Sequence, residues 1–577
     1  MKTIKKVWEL TCIAAIPWMI LLWGFIYSVS YQLHLNRAEE FNPNYRMIGF
    51  VSVFISLLIM MQNLHHKYAG EEVGMLTWLQ PIEVQGNGGS SKKRRAQNPK
   101  IPDELLSDKP EGFILGKCKN KFVRFFIKSG QIMHGLILGS VGTGKSTLLI
   151  SSIISYLNKS NFEINKKEEI DKPDVAMFVV DIKPELFNVA TNSKNPYVCA
   201  VNPEDRDSYG WDVYYAINDD TPEDQVVEQL DIISIALITV SKDNKNGAFF
   251  SDTARNVFVG IMLFAHKLGM NFMESLEYLM SDSLDNILKE IMQKTEGNPN
   301  YRRVRALLKP YVGKNDNEGL QNVEMTMRQN LKPFLSDNFR WLLNDNPKKC
   351  SPLDLEKRIS IFLCLKDSKM DSYSVLMRLI TMQLVKHGTQ RDPNSHALMY
   401  VIDESPRLGG DVLRQITNFM ALSRGFNVAC ILLAQSINQF YTELSAAETE
   451  TLMEICRIIG VLSCKSKKQA DILAGWAGTY LEKKTSYSHK SQKNINNYNI
   501  SYDEKSIFNA SDLMHLMDKK EILLFVDGDF YKANAEQARY YMIPEFNKIA
   551  ERNKRLNART QKGESYYECL FRTGFKR

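Results

Sequence analysis

The sequence has no pair of cysteines spaced as Cys-x-x-Cys, although nine cysteines are scattered through its 577 residues. Zinc sites and redox motifs use such close pairs, and small secreted proteins use regular cysteine frameworks. The scattered pattern therefore argues against a cysteine-ligated metal site and a disulfide framework. Several cysteines lie in apolar runs such as residues 361–365 and 429–433, which predicts buried free thiols in a reducing compartment.

A strong charge of one sign is also missing, because the net charge of +7 is small for a chain of this length. Net charge of this size does not by itself indicate a nucleic-acid partner. The composition is 44% hydrophobic, enough for large cores. Because one core rarely serves so long a chain, the length predicts two or three domains.

Charged residues are absent from two apolar runs near the amino terminus, residues 10–31 and 47–64. At about 1.5 Å per residue, each run is long enough to cross a hydrocarbon layer of about 30 Å. The alternative for the first run is a cleaved signal peptide, but the run is too long for one and lacks a clear small-residue cleavage site. Basic residues precede the first run and follow the second, which places both termini in the cytoplasm. We predict a transmembrane anchor over residues 1–70.

Residues 71–110 are predicted to be a linker, because residues 85–100 are rich in glycine, serine and basic residues. The basic KKRR sequence within it either touches anionic lipid headgroups or is simply solvated. Residues 112–127 contain two short β-rich runs around Lys119 and Asn120. This pattern favours a β-hairpin leading into the next strand.

Residues 139–147 (GSVGTGKST) match the spacing of a phosphate-binding loop, G-x-x-x-x-G-K-[ST]. Residues 131–138 favour a buried strand and residues 146–158 have helical spacing, so the loop lies between strand and helix as its chemistry requires. In such loops backbone N–H groups turn toward an anion, the lysine reaches the β- and γ-phosphates, and the serine binds Mg²⁺. The alternative is a plain glycine-rich turn. The residues predicted to bind nucleotide are Gly139, Ser140, Val141, Gly142, Thr143, Gly144, Lys145, Ser146 and Thr147.

The remaining chain predicts an α/β fold with a helical interruption. Residues 175–181 (VAMFVVD) form a continuous apolar strand that ends in the acidic residue Asp181, and such a run is typical of a parallel strand buried on both faces. From residue 211 to 347 only helical spacing is convincing, so we predict an inserted all-α domain. The nucleotide-binding domain then has two parts, residues 111–210 and 348–549, and residues 550–577 form a basic tail.

A second candidate site element is residues 396–404 (HALMYVIDE), an apolar strand that ends in Asp403 and Glu404. This is the Walker B pattern, in which the aspartate holds the hydration shell of Mg²⁺ and the glutamate polarises the attacking water. Taken alone, such a strand end is more often a plain terminus. Its occurrence together with the phosphate loop favours the functional interpretation.

Two further polar residues lie beside the apolar strand predicted at residues 428–435. Gln435 ends this strand, at the edge where open α/β sheets place ligands. It is either a sensor of the γ-phosphate or a strand-end cap. Arg424 precedes the strand and is either an arginine finger for a neighbouring subunit or a member of a surface salt bridge.

With these motifs in order behind two apolar runs, the sequence resembles the TraG/TraD-like coupling proteins of type IV secretion systems, within the FtsK/HerA branch of RecA-like ATPases. The resemblance includes VVDIKPELF, FFSDTARNVFVGIM, VIDESPRLGG and SRGFNVACILLAQ. Two residues depart from the family pattern: Ser405 replaces an aromatic residue and Pro184 replaces the usual glycine. The resemblance implies a RecA-like P-loop NTPase fold with a mostly parallel sheet.

The resemblance also implies a function. The chain would be a hexameric ATPase of the bacterial inner membrane that uses ATP and Mg²⁺, and both termini would lie in the cytoplasm. It would deliver single-stranded DNA with its bound relaxase to the components of a type IV secretion channel. Lys145, Glu404, Gln435 and Arg424 would be catalytic, and Ser146 and Asp403 would hold the metal.

Several alternatives remain open at this stage. The chain could recruit effector proteins without moving DNA, or it could be an FtsK-like translocase of duplex DNA, although it has only two apolar runs and no recognisable winged-helix domain. The basic tail binds nucleic acid or is a solvated helix. Residues 480–502 are polar and rich in tyrosine, which favours a mobile loop that contacts substrate or a disordered surface insertion.

Overall fold

The structure is a computed structural model that describes residues 100–560, apart from residues 126, 163–171, 240–246, 314–316, 489–496 and 517. The predicted membrane spans at residues 10–31 and 47–64, most of the predicted linker and residues 561–577 lie outside the described residues. Within the described ranges, no helix is both long and apolar enough to cross a membrane.

The fold is a mixed α/β structure around a sheet of twelve strands. The strands in chain order are β1 (Leu106–Ser107), β2 (Phe113–Cys118), β3 (Lys121–Phe125), β4 (Gly135–Leu138), β5 (Val175–Asp181), β6 (Val198–Val201), β7 (Gly210–Trp211), β8 (Lys349–Cys350), β9 (Ser360–Cys364), β10 (Ala397–Ile402), β11 (Val428–Ala434), β12 (Ile458–Val461), β13 (Thr479–Ser488), β14 (Asn497–Ser506), β15 (Glu521–Val526) and β16 (Asp529–Asn534). Twelve of these strands form the large sheet, in the order β1-β3-β2-β16-β15-β12-β4-β11-β10-β5-β9-β6. The other four form two small sheets, β7 with β8 and β13 with β14.

The sheet has a parallel half and an antiparallel half. Strands β12, β4, β11, β10, β5, β9 and β6 pair in parallel, whereas β15, β16, β2, β3 and β1 extend the sheet with antiparallel pairs. Every residue of β5, β10 and β11 is buried, because helices cover both faces of a parallel sheet. The predicted hairpin around Lys119 and Asn120 is confirmed as β2 and β3.

Helices divide between the two faces of this sheet. They are α1 (Lys145–Phe162), α2 (Glu185–Ala190), α3 (Glu223–Leu237), α4 (Gly247–Lys267), α5 (Phe272–Met280), α6 (Leu284–Lys294), α7 (Arg302–Leu308), α8 (Asn317–Leu331), α9 (Asp337–Arg340), α10 (Pro352–Glu356), α11 (Met370–Thr389), α12 (Gly410–Ser423), α13 (Ile437–Glu443), α14 (Ala446–Ile455), α15 (Lys467–Ala477), α16 (Ala510–Met514) and α17 (Pro544–Thr560). Short 3-10 or π segments cover Asp103–Leu105, Pro299–Tyr301, Lys309–Tyr311, Lys332–Leu335, Trp341–Asp345, Asp367–Lys369, Ser405–Leu408, Arg424–Phe426, Glu536–Ala538 and Tyr540–Met542.

Alternate residues of each central strand enter different cores, as the period of two in a strand requires. Phe178 of β5 belongs to the core on the side of α3, α4, α11 and α12. Its neighbours Met177 and Val179 belong to the core beneath α1 and α17. The helix that follows the phosphate loop therefore packs on the face opposite to the long helical segment.

Between β7 and β8, every regular element that the structure describes is helical. These two short strands form a separate parallel sheet of their own, with Gly210 opposite Lys349, so the helical segment begins and ends at one place. The apolar residues of α3 to α8 belong to the same continuous core as one face of the large sheet. The helical segment therefore packs on the sheet and has no separate core of its own.

Three sequence-based predictions about the chain need correction, two of them about domain boundaries. The folded part begins before the predicted start at residue 111, because Ile101 and Leu105 are buried and β1 pairs with β3. At the other end the basic tail does not start at residue 550. Helix α17 continues to Thr560 and buries Leu556, since its apolar stripe packs on the sheet domain.

The third correction concerns residues 480–502, which are not a structureless loop in the part described. Strands β13 and β14 pair with each other in a separate two-stranded sheet. The hydroxyl of Thr479 donates to the carboxylate of Glu504 at 2.6 Å. Threonine and tyrosine favour strands, and this preference outweighs the low hydrophobicity of the segment.

Cysteine state agrees with the sequence-based prediction. All seven cysteines in the described part of the chain are free, and six of them are buried: Cys199, Cys350, Cys364, Cys430, Cys456 and Cys464. Cys12 and Cys569 lie outside the described residues.

Candidate active site

The polar strand ends identified in the sequence meet at one edge of the sheet. Strand β4 pairs in parallel with β11, with Leu138 opposite Ala434. Strand β11 pairs with β10, with Leu432 opposite Ile402, and β10 pairs with β5. Because all four strands point in the same direction, the phosphate loop, Asp403, Gln435 and Asp181 share the carboxyl edge of the sheet, as expected for an open α/β fold.

The phosphate loop connects β4 directly to α1, which begins at Lys145. Gly142 and Gly144 have φ angles of 81° and 96°, a region that glycine adopts without a steric penalty. The hydroxyl of Thr143 donates to the Ser140 carbonyl at 2.8 Å, and that of Thr147 donates to the Gly144 carbonyl at 2.7 Å. These bonds hold the loop in a compact turn at the amino end of a helix, where backbone N–H groups attract an anion.

Lys145, Glu404 and Gln435 are in direct contact. The ammonium of Lys145 lies 3.4 Å from Oε1 of Glu404, and Nε2 of Gln435 donates to the same oxygen at 3.2 Å. Both members of the ion pair are largely buried, with side chains 10% and 13% exposed. The other carboxylate oxygen of Glu404, Oε2, is buried and has no hydrogen-bond partner among the described residues. An acceptor oxygen in this state is available to a water molecule or a proton.

Glu404 reaches this position because its backbone is left-handed, with φ 49° and ψ 42°. A non-glycine residue in that region is held there by its surroundings, and such residues cluster at functional sites. Here the Glu404 amide donates to Oδ1 of Asp403 at 3.0 Å, and the Ser405 hydroxyl donates to the Leu433 carbonyl of β11 at 3.0 Å. Ser405, one of the two departures from the family pattern, thus ties the acidic turn to the neighbouring strand.

Two carboxylates at this edge resist ionisation. Burial raises the pKa of Asp403; the charge of Glu404 adds to the rise, and the charge of Lys145 opposes it. Burial also raises the pKa of Asp181 to about 7, although backbone N–H groups at the start of α2 work against the rise. A cation bound beside these carboxylates would favour their ionised forms.

The residues present fit a magnesium ion better than a protein-only metal cage. In the described ranges, no group of three or more histidine, cysteine or acidic residues is arranged so that it could hold a metal ion. Magnesium usually takes one or two protein oxygens and completes its shell with water and phosphate oxygens. Asp403 and the hydroxyl of Ser146 supply oxygens of this kind, whereas both Asp181 oxygens already accept from backbone N–H groups of Glu185 and Phe187.

Two residues at this edge were not predicted from the sequence. The hydroxyl of Ser463, just after β12, accepts from the Ser140 amide and lies 2.8 Å from the Ser140 hydroxyl. The side-chain oxygen of Gln439 accepts from the backbone N–H of Gln435 at 2.9 Å. A polar residue at the end of a parallel strand was the available signal for Ser463.

Arg424 lies apart from the other predicted site residues. It precedes β11, so it is at the amino edge of the parallel strands, with the length of a seven-residue strand between it and Gln435. Its side chain is exposed. Within one chain Arg424 therefore does not reach the phosphate loop, and the structure does not bring it together with Lys145 and Glu404.

The turn that carries Arg424 is anchored by a buried arginine. Arg391 donates to the Phe426 carbonyl at 2.7 Å and to both oxygens of Glu356 at 2.6 and 3.2 Å. Asn427, with φ 55°, donates from Nδ2 to the Pro393 carbonyl at 2.6 Å. Arg424 is thus presented to solvent on a rigid support.

Replacing Arg391 with alanine is expected to lower the free energy of unfolding by about 3 kcal/mol, because it removes the ion pair with Glu356 and the donor to the Phe426 and His396 carbonyls. Thermal or urea unfolding measures this loss. As a matched control, Arg407→Ala removes an exposed ion pair with Asp367, whose side chains are 37% and 44% exposed, and the expected loss is below about 1 kcal/mol. Equal losses in the two variants would contradict the anchoring role.

The ion pair between Glu356 and Arg391 predicts that the free energy of unfolding depends on pH in the acidic range. Burial opposes ionisation of Glu356, but hydrogen bonds from His387 and Arg391 outweigh it and lower its pKa from 4.5 to about 2. This stabilisation is complete above pH 4.5 and decreases as the pH falls toward 2, because the unfolded chain takes up the proton first. The unfolding free energy of Arg391→Ala is expected to fall less steeply over that window than that of the wild type.

A surface cavity of about 440 Å³ lies elsewhere and is not the nucleotide site. It is lined by residues including Arg457, Trp476 and Phe525. Arg457 precedes β12, so the cavity is at the amino edge of the parallel strands.

Comparison with known proteins identifies the family. A family model described as type IV secretory system conjugative DNA transfer matches residues 91–563. Curated protein sequences yield no match. The bacterial conjugative coupling protein TrwBdeltaN70, in its unbound monoclinic form, is similar with a TM-score of 0.54 and 15% identity over 77% of this chain and 90% of that one.

Two nucleotide complexes of the plasmid coupling protein TrwB are similar as well. The complex with the non-hydrolysable ATP analogue ADPNP has a TM-score of 0.53 and 14% identity, covering 77% of this chain and 92% of that one. The complex with the GTP analogue GDPNP has a TM-score of 0.52 and 15% identity, covering 70% and 85%. At this level of identity the likeness shows a shared fold.

Proposed function

The chain belongs to the type IV secretory system family of conjugative DNA transfer proteins, and on this premise we propose that it is a coupling ATPase. It hydrolyses ATP to recruit single-stranded DNA with its relaxase and to help move this substrate into the secretion channel. The observation that carries the proposal is the contact of Lys145, Glu404 and Gln435 beside a preformed phosphate loop. The ADPNP complex of TrwB, which has the same fold, supports ATP as the nucleotide.

We propose the following roles for Lys145 and Glu404 at the carboxyl edge. Lys145 turns from Glu404 to the β- and γ-phosphates when ATP binds, which releases the carboxylate. The free oxygen Oε2 of Glu404 then accepts a proton from the water that attacks the γ-phosphorus. The bond from phosphorus to the bridging oxygen breaks, and ADP and phosphate leave. Phosphoryl transfer of this kind depends mainly on positioning and charge compensation.

Gln435 and the metal ligands complete this arrangement. The side-chain amide of Gln435 donates to Oε1 of Glu404 at 3.2 Å. This bond orients the carboxylate so that Oε2 faces the γ-phosphate. Ser146 and Asp403 are the residues that would hold Mg²⁺. The ion, when bound, neutralises charge on the phosphate oxygens.

The position of Arg424 supports an assembly in which identical subunits form a ring. Because it is exposed at the edge opposite to the phosphate loop, it can compensate transition-state charge only at the site of a neighbouring chain. We therefore propose a closed homo-oligomer, a hexamer by the family resemblance, in which each site is completed by the Arg424 of the next subunit. Two apolar runs at residues 10–31 and 47–64 would anchor this ring in the inner membrane with both termini in the cytoplasm.

DNA transfer between cells tests the function. A strain that carries Lys145→Ala in place of the wild-type chain is expected to lose transfer to recipient cells, while the variant chain remains in the membrane fraction at the wild-type level. Normal transfer by Lys145→Ala would contradict the motor role. Normal DNA transfer by a strain lacking the chain, with loss of secreted proteins only, would favour the effector-recruiting alternative.

A further inference from the structure

An arginine from the carboxyl-terminal part of the chain lies against the phosphate loop. Nη2 of Arg539 donates to the Thr143 carbonyl at 3.0 Å, although the two residues are 396 positions apart. A Cβ atom placed on Gly144 would lie 2.6–2.8 Å from three atoms of the guanidinium. The arginine therefore occupies the space beside the glycine that allows a phosphate to approach the loop backbone.

The segment that carries Arg539 is fixed to the helix after the loop. The Ser151 hydroxyl of α1 donates to the Ala538 carbonyl at 2.7 Å, and Ala538 is fully buried. On the other side, Nη1 of Arg539 donates to the Tyr541 hydroxyl at 3.0 Å. The backbone position of Arg539 is thus set by the same helix whose amino end forms the phosphate cradle.

The hydrogen-bonding capacity of Arg539 is only partly used. Its Nε atom is buried and has no hydrogen-bond partner among the described residues. Among the described residues, no carboxylate forms an ion pair with Arg539. A guanidinium presents a planar set of donors that matches phosphate oxygens, and here its unmatched donor lies beside a loop built to hold phosphates.

We propose that Arg539 is a nucleotide-binding residue that contacts the phosphates of ATP or ADP in the loop of its own chain. The Thr143 carbonyl holds the guanidinium in place before the nucleotide binds. Because Arg539 belongs to the segment that leads into α17, nucleotide occupancy also fixes the carboxyl-terminal part of the domain. This inference rests on nucleotide binding at the loop, which is part of the proposed function.

Nucleotide affinity of the purified full-length protein in detergent tests the proposal. Loss of a charge-assisted hydrogen bond to phosphate is expected to weaken ATP and ADP binding by about 10- to 100-fold in Arg539→Ala. Arg539→Gln keeps a polar side chain with N–H donors but lacks the charge, so the same weakening is expected. The matched control is Arg555→Ala, which removes an exposed arginine of α17 and is expected to bind nucleotide like the wild type.

Thermal unfolding without nucleotide separates a binding role from a structural one. Arg539→Gln is expected to unfold near the wild-type temperature in the absence of nucleotide and to show a smaller increase when ATP is added. Unchanged affinity in Arg539→Gln would overturn the proposal, and tighter binding would show that the guanidinium obstructs the loop instead. If the wild type binds no nucleotide, the proposed function fails together with this inference. If Lys145→Ala weakens binding but neither Arg539 variant does, only this inference fails.

Discussion

Replacing Glu404 with glutamine is expected to slow ATP turnover by about 10²- to 10⁴-fold, the usual contribution of a general base, and to leave ATP binding intact. Glutamine keeps the size of the side chain and its contact with Gln435, but its oxygen does not take a proton from the attacking water. Single-turnover hydrolysis of ATP and equilibrium binding of a non-hydrolysable analogue measure the two effects separately.

The matched control for this variant is Glu454→Gln, which neutralises an exposed carboxylate on α14 away from the phosphate loop. Its turnover is expected to equal that of the wild type. Full turnover by Glu404→Gln would show that another group accepts the proton. Loss of ATP binding in Glu404→Gln would show that the carboxylate serves to shape the loop through Lys145.

The largest effect is expected for Arg424→Ala, with turnover reduced by about 10³- to 10⁵-fold, the range measured for arginine fingers. The side chain is exposed, so the free energy of unfolding is expected to change by less than about 0.5 kcal/mol. Arg302→Ala, which removes an exposed arginine of α7, is the control for loss of a surface charge and is expected to retain turnover.

Mixing two inactive variants tests whether Arg424 acts on a neighbouring chain. Arg424→Ala has an intact phosphate loop, and Lys145→Ala has an intact arginine. When the two chains assemble together, some interfaces combine the intact loop with the intact arginine, so partial turnover is expected to return. No recovery in a mixed assembly, shown to be mixed by differently tagged chains, would contradict a finger supplied between subunits.

The carboxyl edge of the sheet follows from local sequence patterns. Uninterrupted apolar runs such as residues 175–180 and 428–434 predict parallel strands, and parallel strands bring their carboxyl ends together. The contact between Gln435 and Glu404 is an outcome of that rule, because their strands are neighbours in the sheet. The assignment of each role remains a prediction.

Other features depend on distant pairings that no local pattern encodes. Arg539 meets Thr143 only because β15 and β16 extend the sheet and the chain then returns to α1. The ion pair between Glu356 and the buried Arg391 likewise joins a short helix to a later turn. Ile101 and Leu105 were predicted to lie in a linker, because two isolated apolar residues do not form a periodic pattern of a helix or a strand. Tertiary packing nevertheless buries both side chains.

The most direct test of the account is the rate of ATP hydrolysis by the purified full-length protein with and without single-stranded DNA. The wild type is expected to hydrolyse ATP, to hydrolyse it faster when single-stranded DNA is added, and to lose both activities in Lys145→Ala. Hydrolysis that DNA does not change would contradict coupling to DNA. A wild-type rate no higher than that of Lys145→Ala would contradict the claim that this edge of the sheet is an ATPase site.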